Sequence, residues 1–172
     1  MLRAGGLVID DIEVVNSIET PIRLEYTYRP GKATARFLRG LATGKILGQR
    51  CPATGKVYVP PRGASPTHGV PTEEEVEVSD KGTVTTFCIV RIPSENLSIK
   101  PPFVAAHILL DGADIPFFAL IHECPFDEVR MGMRVQAVWV PKEELAPTFE
   151  SIRYFKPIDE KDAPFDSYQE HL

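Results

Sequence analysis

The chain has 172 residues, of which 43% are apolar and 25% charged, with a net charge of −5. That length admits one ordinary domain, or a small module joined to a barrel of about 80–100 residues. The acidic balance gives no general reason to expect nucleic acid or an anionic membrane as partner, and no run of about 18 apolar residues exists to span a bilayer.

Residues 1–30 form a leader with alternating apolar positions, and Ile22, Leu24 and Tyr26 fall on one face of a candidate strand. Asp10, Asp11 and Glu13 interrupt the first apolar run too early for a signal-peptide core, so a cytoplasmic protein is expected. Pro30-Gly31 marks a turn. Lys32 to Thr43 then reads as a short helix stopped by Gly44, with Phe37, Leu38 and Leu41 on one stripe. The stripe has two readings: packing on the body of the chain, or a face for a partner protein.

Ile46 to Arg50 and Val57 to Val59 read as short strands around Cys51, the second ended by Pro60-Pro61. Residues 63–75 have loop composition and end in the acidic run Glu73-Glu74-Glu75. Five strand-like runs follow: Gly82–Arg91, Phe103–Leu110, Ile115–His122, Arg134–Val140 and Ile152–Phe155. Asp111-Gly112 joins the second and third as a hairpin. Five antiparallel strands closing within roughly 80 residues fit an OB-type barrel. Phe87, Phe117 and Phe118 read as its core. Residues 157–172, with Pro164 and scattered acids, are expected to be a loose tail.

The three cysteines, Cys51, Cys88 and Cys124, do not form a disulfide framework. Cys88 and Cys124 sit in apolar runs, where a buried free thiol in a reducing compartment is the usual reading. His122 and Cys124 would share a strand face as a thiol–imidazole pair, but no third group orients them. His107 reads as an ordinary strand residue. No phosphate-binding glycine loop follows a strand. No catalytic set is therefore assigned.

The stretch GQRCPATGKVYVPPRGASPTHG, residues 48–69, carries two equal spacings, 51/54 and 65/68, each followed by a glycine. With FLRGLATGKILGQRC before it, and GTVTTFCIV, PPFVAAHILLDGAD and DEVRMGMRVQAVW after it, the chain resembles domain-of-unknown-function family thirty-five, in which a rubredoxin-like zinc ribbon precedes an OB fold. The fold class expected is mainly β: an N-terminal arm over 1–44, a degenerate zinc ribbon over 45–75, a five-stranded OB barrel over 76–156 and a tail over 157–172. In the ribbon frame the four knuckle positions are Cys51, Thr54, Ser65 and His68. Two of them are hydroxyls, which are poor zinc donors, so no metal is expected.

The resemblance implies a non-catalytic accessory subunit of a thiolase-like or lipid-transfer-protein enzyme acting on acyl-CoA or steroid-CoA substrates. A CoA thioester is the ligand it suggests, and Arg62, Lys100, Arg130 and Arg134 are the cations placed to meet CoA phosphates, with ordinary surface charge as the plainer reading. The alternatives are a free-standing OB module binding single-stranded nucleic acid and an enzyme using His122 and Cys124.

Overall fold

The computed structural model describes residues 24–93, 97 and 99–172. The N-terminal leader up to residue 23, with Ile22 of the candidate strand, lies outside them. Residues 24–30 have no regular structure, and Leu24 and Tyr26 are each 76% exposed, so no strand forms over these described residues.

Helix α1 spans Lys32–Leu41. Its sequence, KATARFLRGL, is rich in good helix formers. Gly44 at φ 73° ends it, and the chain turns back through a Lys45 N–H to Gly40 carbonyl bond of 3.0 Å. Phe37 and Leu41 are fully buried and Leu38 packs half-buried beside them. The stripe thus packs on the chain's own body. This corrects the partner-face reading for Phe37 and Leu41, whose surfaces are already spent inside the molecule.

Three strands follow in a small sheet ordered β2-β1-β3: β1 Ile46–Arg50, β2 Val57–Tyr58 and β3 Glu74–Val78. The acidic run expected to be loop is therefore the start of an edge strand. Its carboxylates find cations across the sheet, Arg50 to Glu74 at 3.1 Å and Lys45 to Glu77 at 2.7 Å, with Arg36 of α1 reaching Glu75 at 3.4 Å. Charged side chains on an edge strand are a common protection against edge-to-edge pairing.

The remaining strands close a barrel in the order β4-β5-β6-β8-β7. They are β4 Lys81–Val90, β5 Phe103–Leu110, β6 Phe117–Ile121, β7 Arg134–Trp139 and β8 Ile152–Pro157. All neighbours are antiparallel except β6 and β8, which run parallel. This is OB-fold connectivity. Val84, Ile108, Leu110, Val135 and Phe155 fill the interior, each 1% exposed or less.

One core runs through both sheets. An aromatic chain links them: Phe37 of α1 lies 5.3 Å from Phe149, which stacks at 6.3 Å on Phe117, itself 6.2 Å from Phe155. Asp114, in the turn between β5 and β6, clasps the ribbon twice. Its carboxylate accepts from Val57 N–H at 2.8 Å and its own N–H donates to the Val57 carbonyl at 2.9 Å.

The segment after β8 is not loose. It forms two short 3-10 turns, Phe165–Ser167 and Gln169–His171, and Tyr168 is only 5% exposed. Ala163 N–H donates to the Gly132 carbonyl at 2.8 Å. Gly132 sits at φ 85°, and a Cβ there would lie 2.9 Å from the Ala163 carbonyl oxygen. Only glycine combines that backbone conformation with that approach.

Candidate functional site

The two ribbon turns are built alike. At the first, Cys51 N–H donates to the Lys56 carbonyl at 2.8 Å and the Cys51 carbonyl accepts from Gly55 N–H at 2.8 Å. At the second, Ser65 N–H donates to the Val70 carbonyl at 2.8 Å and the Ser65 carbonyl accepts from Gly69 N–H at 2.9 Å. Gly55 and Gly69 have φ of 74° and 66°. The knuckle frame read from the spacing is thus present in the backbone.

The side chains in that frame do not suit a zinc ion. Cys51 and Ser65 are buried, at 0% and 2% exposure, while Thr54 and His68 are exposed. Hydrogen bonds from Thr54 and, less strongly, from Ser65 hold the Cys51 thiol down to about 7 against the upward push of burial. Ser65 Oγ lies 3.4 Å from the Tyr58 hydroxyl and accepts from His68 N–H at 3.4 Å. Neutral hydroxyls replace two thiolates, and one thiol with one imidazole does not close a tetrahedron. Among the described residues no group of three or more His, Cys, Asp and Glu side chains could hold a metal ion.

The four candidate phosphate cations are not brought together as a free set. Arg130 grips Asp162 with two nitrogens at 2.6 and 2.8 Å. Arg134 is held by Asp111 at 2.7 and 2.6 Å and by Glu160 at 3.0 Å. Both arginines fasten the C-terminal segment or the barrel turn through carboxylates. Arg62, in the ribbon, and Lys100, before β5, are exposed.

His122 and Cys124 also part company. Glu123 between them takes φ 61°, so the strand ends at Ile121 and the two side chains do not share a strand face. The His122 ring packs on Tyr154 at 5.2 Å, while burial pushes the Cys124 thiol up. Tyr154 in turn donates to Glu123 at 2.8 Å, and that bond holds the Glu123 carboxyl below its usual range. Cys88, read as buried, is exposed on the outer face of β4.

A groove opens between β6 and β8. Their pairing is confined to Ile121 and Phe155. Continued in register, it would set Leu120 beside Tyr154 and Phe118 beside Ile152. Instead those residues, with Phe149, Glu150 and Arg153, line a groove of about 490 Å³. Phe118 is 65% exposed and Phe149 48%. Phe118 is therefore not core. Strand alternation explains it: Phe117 and Ile121 point inward, so 118 and 120 point outward. Across the sheet Phe118 meets the His107 ring edge-on at 5.4 Å, and His107 Nδ1 lies 3.2 Å from Thr86 Oγ1.

Comparison with known proteins matches both parts of the chain. Residues 39–65 match the rubredoxin-like zinc ribbon domain of ChsH2, and residues 75–140 match the ChsH2 C-terminal OB-fold domain. A DUF35 domain-containing scaffold protein of Methanocaldococcus jannaschii is 36% identical over 96 residues, covering 55% of this chain and 67% of its own. A scaffold protein of the same description from Pyrococcus furiosus is 30% identical over 94 residues, covering 55% and 68%. Among solved structures, an Ltp2-ChsH2(DUF35) aldolase superposes with a TM-score of 0.58 at 21% identity, over 75% of this chain and 98% of that one. A DUF35-family protein from Sulfolobus solfataricus gives the same TM-score and identity over 74% and 87%. At that identity the likeness is one of fold.

Proposed function

Because the chain belongs to the DUF35 family of zinc-ribbon and OB-fold proteins, we propose that it is a non-catalytic accessory subunit of a thiolase-fold enzyme acting on acyl-CoA or steroid-CoA substrates in the cytoplasm. Two relatives are described as scaffold proteins, and one structure of the same fold is an Ltp2-ChsH2(DUF35) aldolase. The observation that carries the reading is the β6–β8 groove. It presents Phe118 and Phe149 to solvent on a barrel that is otherwise closed. Exposed aromatics beside a lapsed strand ladder are a typical anchor for another protein.

In this reading the partner supplies the reacting groups, and this chain supplies a rigid docking surface. Arg62 and Lys100 are the cations left to meet a CoA phosphate. The test is co-expression of the tagged chain with the thiolase-fold enzyme that accompanies it in its host. Phe118→Ser should weaken the complex at least tenfold, with the melting point of the isolated chain unchanged. Undiminished complex formation would remove the groove from the interface.

One observation favours a second reading. The exposed His107–Phe118 pair lies on the β5–β6 face, the face on which OB folds bind oligonucleotides by stacking bases on aromatics. Anisotropy of a labelled oligonucleotide at low and high salt separates the two, since a nucleic-acid module binds with a steep salt dependence.

A further inference from the structure

We infer that the cavity between the β5–β6 turn and the C-terminal segment is a binding site for a small monocarboxylate, held by the hydroxyl of Tyr168 and the ammonium of Lys161. The cavity has a volume of about 420 Å³. The barrel and its turn supply Thr83, Asp111 and Arg134 to the lining, and the C-terminal segment supplies Lys161, Asp162 and Tyr168. It shares no lining residue with the β6–β8 groove.

The Tyr168 hydroxyl marks the site. Tyr168 is 5% exposed, and its ring packs edge-on against Phe165 at 5.5 Å. Its hydroxyl rests over Gly132, where a Cβ would come within 3.3 Å of it. A tyrosine this deeply buried normally gives its hydroxyl a hydrogen-bond partner. Among the described residues this hydroxyl has none. Yet no fully buried side-chain oxygen or nitrogen among them lacks a partner. The hydroxyl therefore keeps an opening, and the cavity that Tyr168 lines is that opening. Charge then selects the ligand. Four charged side chains line the cavity: Asp111, Arg134, Lys161 and Asp162. Arg134 holds Asp111 with two nitrogens, and Arg130 holds Asp162 in the same way. Lys161 pairs with no carboxylate among the described residues. One unmatched cation suits one negative charge, whereas a dianion such as phosphate would also face Asp111 and Asp162. One hydroxyl and one ammonium match the two oxygens of a carboxylate. Leu109, Ala113 and Pro164 complete the lining with apolar surface for a short hydrocarbon tail.

The experiment titrates the full chain, isotopically labelled for amide NMR, at fixed ionic strength with three probes: sodium propionate, its neutral isostere propionamide, and sodium phosphate. Propionate should shift the Gly112, Ala163 and Tyr168 amides saturably, with a Kd on the order of 1–10 mM. Propionamide should leave them in place, and phosphate should act only at higher concentration. Tyr168→Phe and Lys161→Met should each raise the propionate Kd about tenfold. Tyr168→Phe should melt as wild type, because its hydroxyl has no partner to lose. Propionamide shifting the same amides as strongly, or phosphate saturating them before propionate, would overturn the inference. So would two variants that bind propionate as wild type does, or a Tyr168→Phe variant that melts clearly lower. The comparison of the three probes on wild type decides the matter even if a variant fails to fold.

Discussion

Arg134 of β7 sets both terminal guanidinium nitrogens on the Asp111 carboxylate, at 2.7 and 2.6 Å, across the barrel end where β5 turns into β6. Its Nε donates to Glu160 at 3.0 Å, and Lys81 donates to the same carboxylate at 2.7 Å. A barrel strand, a hairpin turn and the C-terminal segment are thereby joined through one side chain that is 14% exposed. Arg134→Met should cost about 1 kcal/mol, a modest figure because both carboxylates remain partly hydrated. Urea unfolding in low salt measures it.

The same cluster sets an acid limb. Hydrogen bonds from Lys81 and then Arg134 hold the Glu160 carboxyl below its usual range. A group depressed in the folded state contributes stability that is complete above its unfolded value, about 4.3, and lost as pH falls through the folded one. Melting temperature should therefore decline below about pH 4.3, and Glu160→Gln should flatten part of that decline. Identical pH profiles for the two proteins would remove Glu160 from the account.

Gly132→Ala tests the docking of the C-terminal segment. The substitution combines a left-handed φ of 85° with a 2.9 Å approach to the Ala163 carbonyl. A loss of about 1–3 kcal/mol is expected, with faster amide exchange in residues 163–171. A variant as stable as wild type would mean that the segment does not depend on this approach.

Leu41→Asp distinguishes core from partner face at the helix. Leu41 is fully buried in the cluster that includes Phe37 and Ile46. The carboxylate should destabilise the isolated chain by several kcal/mol, on the order of 3–5. A thermal melt close to wild type would show that α1 is held by other contacts.

Much of this architecture is legible from residue pattern. The continuous run Phe103–Leu110 announces a barrel strand, and its bounds in the structure are the same. Gly55 and Gly69 reveal the paired turns because each follows its knuckle at equal spacing. Other features are hidden for physical reasons. Strand β3 escapes notice because Glu74, Glu75 and Glu77 resemble a solvated loop, and the cations that pair with them lie 24 or more residues away. Arg130 and Arg134 look free because Asp162 and Glu160 are 32 and 26 residues distant. The tail is held by single contacts with no periodicity. The exposed Phe118 was discoverable: strand alternation applied to Phe117-Phe118 sends one ring in and the other out. The groove was not, because it comes from a pairing of β6 with β8 that stops after one residue pair.

His122 and Cys124 do not share a strand face in this fold. His122→Ala and Cys124→Ser should leave the turnover of an assembled complex within about threefold, a change in activation free energy of well under 1.4 kcal/mol. A hundredfold loss with assembly intact would assign one of them to the reaction.

Turnover of an acyl-CoA substrate should be compared across three preparations: this chain alone, the proposed thiolase-fold partner alone, and the two reconstituted at equal concentration. No turnover by this chain is expected, together with a rise in the partner's rate or solubility on mixing that Phe118→Ser abolishes. Turnover by this chain alone, or a partner whose rate, solubility and oligomeric state ignore its presence, would contradict it.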